Sequence, residues 1–444
     1  MRLSWILARN LLYFWRTNLA VVAGIAIAVA VLSGALLVGE SVRSSLRELV
    51  LRRLGATDYL VSADRFFGED LAASLAARPG FASAFTSSCP IIHLEGALTH
   101  EKTGLRAQKV NVFGVDRRFW SFHGRAGQPA PEGREALVGE ALAVELGAAA
   151  QDTLLLRIEK PDAIPRESLY GRREESGRTL RLTCRGIISA HDLGDFSLQP
   201  GQGDVLAVFV PLARLQQDLA QVVGANAILV SARDSEARED DLRRMLRESV
   251  SLRDLGIGLR AHSSRNAIAV ESRRVLLEDA AERAALEAAT AAGMRASGVF
   301  TYLANSIRCG SREIPYSAIA AVDLGRGSFT KVRKVIGDHE ITELDRNPDL
   351  IWLNEWAWKD LQAKPGDAVA VDYYVWQEEG RLVTRTSRFH MAGVVALGGD
   401  VDASLAPEFP GVTHARSLRG WDPPFPLDLR RIRTEDEEYW RRYR

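Results

Sequence analysis

The chain has 444 residues, with 57 basic and 57 acidic side chains, so its formal net charge is zero. This balance gives neither the basic excess that binds nucleic acid nor the acidic excess of a solvating tail, and no nucleic-acid partner is expected. Its three cysteines, Cys89, Cys184 and Cys309, are too few and too scattered for a disulfide framework or a zinc site, so we expect isolated thiols, with one bridge as the alternative.

The first 16 residues are predicted to form an amphipathic helix. Arg2, Arg9 and Arg16 repeat every seven positions on one face, and Trp5 and Trp15 belong to the apolar remainder. Such a helix lies in the membrane interface, with aromatic rings at headgroup level and arginines toward anionic lipid. Residues 1–16 are therefore interpreted as an interfacial helix whose partner is membrane lipid.

Residues 17–39 contain no charged side chain. As a helix they would be about 35 Å long, enough to cross a hydrocarbon core of about 30 Å. A signal peptide has a shorter apolar run and a small-residue cleavage site. A retained transmembrane helix is therefore favoured, and a cleaved leader is the alternative.

Small residues are dense within this span and recur at four-residue spacing. The two series are Ala20, Gly24 and Ala28, and Ala26, Ala30 and Gly34. This spacing lets helix backbones approach closely, and close packing drives association where lipid offers no hydrophobic force. We expect the span to pack against neighbouring helices; a span that contacts only lipid is the alternative.

The charges that flank the span do not decide its orientation. Three arginines precede it; behind it lie Arg43, Arg47, Arg52 and Arg53, together with Glu40 and Glu48. The rule that basic residues are enriched on the cytoplasmic side holds for short loops. Long domains cross the membrane largely regardless of their charge. We expect a cytoplasmic N-terminus.

Beyond the span, the apolar helical pattern continues to Leu54 and ends at Gly55. The chain then presents the same succession of elements twice, in repeat unit 1 (residues 40–195) and repeat unit 2 (residues 261–400). The matched landmarks are strands 59–61 and 268–270, helices that begin near Glu69 and Glu278, hairpins that end at Val115 and Val322, helix–turn–strand segments 140–156 and 355–371, and strand ends 186–188 and 393–395. Because their order is kept and their spacing is nearly constant, we predict an internal duplication.

An aspartate follows the turn in each helix–turn–strand segment. Glu140–Leu146 and Glu355–Leu361 are predicted helices, and Asp152 and Asp367 come directly before the strands. Aspartates at such turns accept hydrogen bonds from nearby backbone amides. We therefore expect structural roles for both, with a functional carboxylate as the alternative.

Residues 196–260 show a strand–helix–strand–helix pattern, with strands at 205–210 and 227–231 and helices at 212–223 and 236–250. This order favours a ferredoxin-like βαβα middle segment. The predicted fold class is therefore α+β: one N-terminal transmembrane helix, then a large mixed αβ region with an internal duplication.

Local signatures of catalysis are missing from the sequence. It contains no G-x-x-x-x-G-K-[ST], no H-E-x-x-H and no G-x-S-x-G, and its eight histidines never fall three or four residues apart. We therefore predict a protein that is not an enzyme, with no catalytic residue, cofactor or metal. A triad assembled from distant residues is what such a search misses.

These features resemble the MacB/FtsX-type ABC transporter permeases, which include lipoprotein-releasing members. The resemblance rests on the interfacial helix, the small-residue span and segments 140–156 and 355–371, which look like periplasmic-core segments of such permeases. Residues 300–305 and 314–317 look like them too. The resemblance implies a bacterial inner-membrane protein with its bulk in the periplasm.

The resemblance also implies partners. These are a separate ATP-binding cassette subunit, a second permease copy or paralogue, and a periplasmic partner or substrate. Nucleotide-driven dimerisation of the ATPase would move the transmembrane helices and, through them, the periplasmic domain. The absence of a P-loop agrees with this division of labour.

The sequence departs from the family after the domain, because no second apolar span follows. We therefore expect residues 401–444 to be a tail that leads to missing spans. A membrane-anchored periplasmic hydrolase and a single-span ligand-binding adaptor are the alternatives.

Overall fold

The computed structural model describes residues 3–159, 177–219, 224–234, 238–262, 266–272, 276–322, 331–334, 337–340, 347–377, 382–395, 415, 417–421 and 427–443. Arg2 and residues 401–414, at the start of the expected tail, lie outside this set.

Two helices begin the chain: α1 (Leu3–Tyr13) and α2 (Trp15–Leu54), which meet at Phe14. Of the helices in the described ranges, α2 alone is long and apolar enough to cross a membrane. Its backbone hydrogen bonds continue past residue 39, because the change from apolar to charged side chains does not interrupt them and no proline intervenes. The helix is therefore longer than the expected span, and it ends at Gly55, whose φ is 58°.

The chain divides into two compact units. Unit 1 comprises Met1–Ser62, Ala72–Ile158 and Thr179–Met245, and unit 2 comprises Ala63–Leu71, Glu159–Arg178 and Leu246–Arg444. Each unit gathers stretches that are distant in the chain. The repeat units and middle segment expected from the sequence are a different division of the chain and remain a prediction.

Within the described residues, eight strands after α2 form one sheet. The elements up to residue 249 are β1 (Tyr59–Gly68), α3 (Asp70–Ala76), α4 (Phe81–Ala84), β2 (Phe85–His100), β3 (Arg106–Val115), α5 (Arg117–Phe122), β4 (Glu135–Gly139), α6 (Glu140–Leu146), β5 (Thr153–Glu159), β6 (Gly177–Ile188), β7 (Ala207–Pro211), α7 (Leu212–Asp218), β8 (Gly224–Ala232) and α8 (Glu239–Ser249). The strand order is β1-β8-β2-β3-β7-β4-β6-β5, and β5 also pairs with β2. The six strands from β2 to β5 in this order therefore form a closed ring of pairings.

Strands β7 and β8, from the predicted middle segment, belong to this same sheet. β7 runs parallel to β3, and β8 pairs antiparallel with β2. All five residues of β7 are buried. A continuously apolar strand must be covered on both of its faces, and β7 is covered on both faces within this sheet. β7 and β8 therefore belong to the first sheet, whereas residues from Leu246 onward belong to unit 2, and the separate middle segment remains a prediction.

The core of unit 1 is rich in aromatic side chains. Phe113, Phe119 and Phe196 are fully buried, and the ring centroids of Phe113 and Phe196 lie 5.0 Å apart. Phe119 meets Phe196 edge to face at 5.2 Å. Such contacts add to the free energy of burying the rings. This cluster supports the loop that receives the end of α2.

Unit 2 contains a second sheet. Its remaining elements are β9 (Ile257–His262), β10 (Ala267–Ser272), α9 (Asp279–Ala291), β11 (Val299–Cys309), β12 (Arg312–Val322), β13 (Lys331–Lys334), β14 (Gly337–Glu340), β15 (Leu350–Asn354), α10 (Glu355–Leu361), β16 (Ala368–Trp376), β17 (Leu382–Val395) and α11 (Thr434–Tyr443). In the described ranges, seven strands pair in the order β12-β11-β16-β17-β13-β14, with β15 joined to β17. β9 and β10 form a separate hairpin.

The described part of the predicted tail packs onto unit 2. Trp421 and Ile432 are buried with Leu303 and Tyr316 in one cluster, and Trp440 packs against it. These apolar side chains leave water on folding, which stabilises the segment where it lies. Residues 417–421 and 427–443 of the tail are therefore part of the folded unit.

The two predicted helix–turn–strand segments have the same local structure. β4 runs parallel to β6 and β15 runs parallel to β17, each with a register shift inside the first strand. Cys184 and Met391 occupy matching positions: each backbone N–H donates to the carbonyl of the turn aspartate, at 2.8 and 2.9 Å. The mixed α+β class is confirmed. The duplication remains a prediction, which these matched contacts support.

Candidate coupling site at the root of the apolar helix

The last turn of α2 is buried in unit 1 through Arg53. The side chain of Arg53 is 8% exposed. Its Nη1 donates to the carbonyl of Gly201 at 2.7 Å, and its Nη2 donates to the carbonyl of Gly203 at 2.9 Å. Together these bonds anchor the end of the helix to the loop that follows the aromatic cluster. We call Arg53 and the residues around it the helix root: Gly201, Gly203, Asp195 and His123.

Asp195 supplies the negative charge of the helix root. Its Oδ2 lies 3.5 Å from Nε of Arg53 and 3.4 Å from Nη2 of Arg52. The carboxylate side chain is 12% exposed, so both arginines compensate a largely buried charge. The backbone N–H of Ser197 also donates to the carbonyl of Arg53, at 3.3 Å. This bond satisfies one of the carbonyls left open at a helix end.

His123 holds the residues directly after α2. The backbone N–H of Ala56 donates to Nδ1 of His123 at 3.1 Å. The ring packs edge to face against Phe119 at 4.6 Å and against Phe196 at 5.2 Å. Burial among these groups lowers the pKa of His123 to about 4. The imidazole is therefore neutral at ordinary pH, and Nδ1 is free to accept.

Gly55 is required where α2 turns into this site. Its φ is positive, and a β-carbon there would lie 2.6 Å from Nδ1 of His123. Any larger residue would both strain the backbone and displace the imidazole. The glycine that ends the predicted helix in the sequence is thus also the residue that lets His123 approach.

A small cavity of about 120 Å³ opens beside the helix root. Its lining is mainly apolar and consists of Val50, Arg53, Leu54, Ser197, Leu198, Gln199 and Pro200. No cluster of three or more His, Cys, Asp or Glu side chains that could hold a metal occurs among the residues described. The helix root is packed from ion pairs, backbone hydrogen bonds and aromatic contacts.

The predicted span residues face outward in this chain. None of the most apolar 18-residue window of α2 is buried, and a methyl group built on Gly24 or Gly34 would meet nothing within 4 Å. The same helix carries the rest of both small-residue series: Ala20, Ala26, Ala28 and Ala30. The structure therefore places the predicted packing residues on one helix and leaves their surface open.

Of the predicted interface residues, four form two side-chain pairs. The guanidinium of Arg9 lies over the ring of Trp5, 5.0 Å from its centroid, and that of Arg16 lies over Trp15 at 5.5 Å. Such cation–π contacts hold an arginine beside an aromatic ring. One pair is on α1 and the other begins α2. Arg2 is outside the described residues.

The two turn aspartates have the structural role that the sequence predicts. The N–H of Ala149 donates to Oδ2 of Asp152, and the N–H of Lys364 donates to Oδ2 of Asp367, each at 2.8 Å. Asp152 also lies 3.2 Å from Nε2 of His100. The amide of Ala149 first, and His100 second, lower the pKa of Asp152. Both carboxylates are thus confirmed as turn residues.

Sequence reasoning missed the partners of α2. His123, Asp195 and Gly201 are far from α2 in sequence, and no periodicity connects them with it. The one local signal was the stop at Gly55, which indicates where the helix ends and not what it meets.

An apolar helix of membrane-spanning length that is continuous with a mixed αβ domain defines a membrane-anchored protein with its bulk outside the bilayer. The chain belongs to the family with the MacB-like periplasmic core domain, which matches residues 19–248. It is therefore an ABC transporter permease-type protein, and its bulk is periplasmic.

One solved structure with similarity is the periplasmic region of MacB from Actinobacillus actinomycetemcomitans. The alignment covers 48% of this chain and 80% of that one, at 10% identity and a TM-score of 0.26, which is too low to identify a fold. A comparison with curated proteins finds no match.

Proposed function

We propose that this chain is the first transmembrane helix and the periplasmic domain of a bacterial ABC permease, and that it transmits movement without making or breaking bonds. Its N-terminus would lie in the cytoplasm and α2 would cross the inner membrane. The observation that carries the proposal is the continuity of α2, which runs unbroken from the uncharged segment to Arg53, buried in unit 1.

The mechanical argument follows from this continuity. Fifteen residues separate Gly39 from Leu54, or about 22 Å of helix beyond the uncharged stretch. A helix bends little over that length unless proline, glycine pairs or bulges interrupt it. A rotation or shift of the span would therefore reach the helix root, where Arg53, Asp195 and His123 pass it to unit 1.

The partners in this proposal are a separate ATP-binding cassette subunit in the cytoplasm, a second permease copy or paralogue, and a periplasmic partner or substrate. The open small-residue surface that contains Gly24 and Gly34 supports helix packing within the membrane. The Trp5–Arg9 and Trp15–Arg16 pairs support contact with membrane lipid at the interface.

Recovery of the ATPase tests the assignment to this class. The gene product, affinity-tagged and solubilised from its native membrane, is expected to co-purify with an ATP-binding cassette subunit. A Gly24→Leu/Gly34→Leu variant is expected to recover less of the other permease subunit, because leucines keep the backbones apart. Purification with no ATP-binding subunit would contradict the proposal.

Transmission along α2 has a sharper test at Ser45, an exposed position between the span and the helix root. Ser45→Pro removes a helical hydrogen bond and kinks the helix at a cost of about 3 kcal/mol. A fluorophore on Gln108→Cys in unit 1, in a Cys309→Ser background, is expected to report an ATP-dependent change that Ser45→Pro abolishes. Ser45→Ala is the matched control and should retain it.

If Ser45→Pro binds the ATPase normally and the fluorescence change persists, movement does not travel through α2. If Ser45→Pro and Ser45→Ala both abolish the fluorescence change, the Ser45 side chain is responsible and not the kink. That result would also count against transmission through α2.

A further inference from the structure

Two arginines on α2 remain exposed between the uncharged segment and the helix root. Arg43 and Arg47 are one turn apart and lie on the same face of the helix. Arg43 forms an exposed ion pair with Glu40 at 3.2 Å. Among the residues described, Arg47 has no recorded ion pair. The next two arginines, Arg52 and Arg53, are engaged by Asp195.

Their distance from the uncharged segment places the backbone of Arg43 at headgroup depth and that of Arg47 about one turn beyond it. Arg43 is four residues past Gly39, about 6 Å along the axis, and Arg47 is about 12 Å past it. The headgroup layer extends roughly 5–8 Å beyond the hydrocarbon on each side. Side chains on a helix lean toward its N-terminus, which here is the membrane side. Both guanidinium groups can therefore reach the phosphate layer.

The chemistry of the surroundings favours phosphate as the partner. Glu40, the first charge after the span, is compensated by Arg43, and Glu48 follows Arg47 on a neighbouring face of the helix. Arg47 therefore keeps an uncompensated positive charge. Guanidinium donates two parallel hydrogen bonds to phosphate oxygens, which gives an arginine more specificity for phosphate than a lysine has.

We propose that Arg47, assisted by Arg43, binds the phosphate groups of anionic phospholipids in the periplasmic leaflet. The inference rests on the proposed function, since it requires α2 to cross the membrane. It adds a lipid contact at the end of the span that faces the domain. This contact fixes the position of α2 along the membrane normal. A movement of α2 is then transmitted to the helix root, because the helix does not slide in the lipid instead.

The test measures lipid binding by the full chain. The purified protein in non-ionic detergent is titrated with phosphatidylglycerol, and bound lipids are counted by native mass spectrometry. Each arginine near a charged surface contributes about a fivefold change in affinity, so Arg43→Gln/Arg47→Gln is expected to weaken one class of site roughly 25-fold. Arg243→Gln/Arg244→Gln, on α8, removes the same charge far from the span in sequence and should bind like the wild type.

Three outcomes would overturn the inference: unchanged phosphatidylglycerol binding by the double variant, equal binding of phosphatidylcholine by the wild type, or displacement of the lipid by millimolar inorganic phosphate. The last would identify a free-phosphate site. Extraction of the wild-type chain from vesicles by alkaline carbonate would instead contradict the membrane span itself, and with it the proposed function. A stably inserted chain that lacks lipid selectivity contradicts this inference alone.

Discussion

His123 is a buried base, and its burial makes the helix root sensitive to acid. The folded chain lowers its pKa from 6.5 to about 4. Between these values an unfolded chain binds a proton that the folded chain does not bind. The contribution of neutral His123 is therefore intact above pH 6.5 and is lost as pH falls toward 4.

We predict that the free energy of unfolding falls by about 3 kcal/mol through this window because of His123. Urea unfolding of the chain at several pH values would measure how the free energy of unfolding changes with pH. His123→Asn keeps an acceptor near Ala56 but cannot titrate, so its free energy of unfolding should fall less over this window, by about 3 kcal/mol. An equal slope in both proteins would place the acid sensitivity elsewhere.

Arg53 is the second residue on which the helix root depends. Arg53→Leu leaves Asp195 largely buried with only Arg52 beside it and removes the donors to Gly201 and Gly203. Breaking a buried pair by removing one partner is expected to cost on the order of 3 kcal/mol. Thermal unfolding should record a lower midpoint. Arg43→Leu, on the same helix but exposed, should leave the midpoint unchanged. An equal fall of the midpoint in Arg43→Leu would contradict the claim that the effect of Arg53→Leu comes from the burial of Arg53.

At the scale of elements, α2 illustrates how charge patterns in sequence can mislead. Four arginines behind the span obscure the orientation when they are only counted. Arg52 and Arg53 are engaged by Asp195, whereas Arg43 and Arg47 are not. The composition of the helix is visible in sequence, whereas the partners that engage each arginine belong to the fold.

The two helix–turn–strand segments provide a paired experiment within one chain. Asp152 and Asp367 accept equivalent backbone bonds, but Asp152 also holds His100, which is 3% exposed. Asp152→Ala should therefore lower the unfolding midpoint more than Asp367→Ala, because a buried imidazole loses its partner. Circular dichroism during thermal unfolding would measure both. A larger effect at Asp367 would contradict this reading of His100.

For the whole molecule, the span and the domain should be separable. The residues of α2 that precede Glu40 are exposed or only partly buried, and the helix root begins near Arg52. A chain that starts at Glu40 is therefore expected to be soluble without detergent and to unfold at the midpoint of the full chain. Gel filtration and calorimetry would check this. Aggregation, or a clearly lower midpoint, would mean that the first 39 residues contribute to the fold.

Much of the architecture could be predicted from local patterns. Residues 17–39 determined a membrane-length helix because apolar length is a local property. Glu140–Leu146 and Glu355–Leu361 are helices with the predicted bounds, and the hairpins end at Val115 and Val322, because side-chain periodicity and turn residues act over a few positions. The family was also visible in the order of these elements.

Only the tertiary structure decided which distant residues meet. The placement of β7 between β3 and β4 follows from burial on both faces, which no local pattern encodes. The helix root likewise joins Arg53 to Asp195 and Ala56 to His123 across long stretches of chain. Such contacts depend on complementary shape, charge and burial in three dimensions, so the sequence determined the helix while the fold determined which residues the helix contacts.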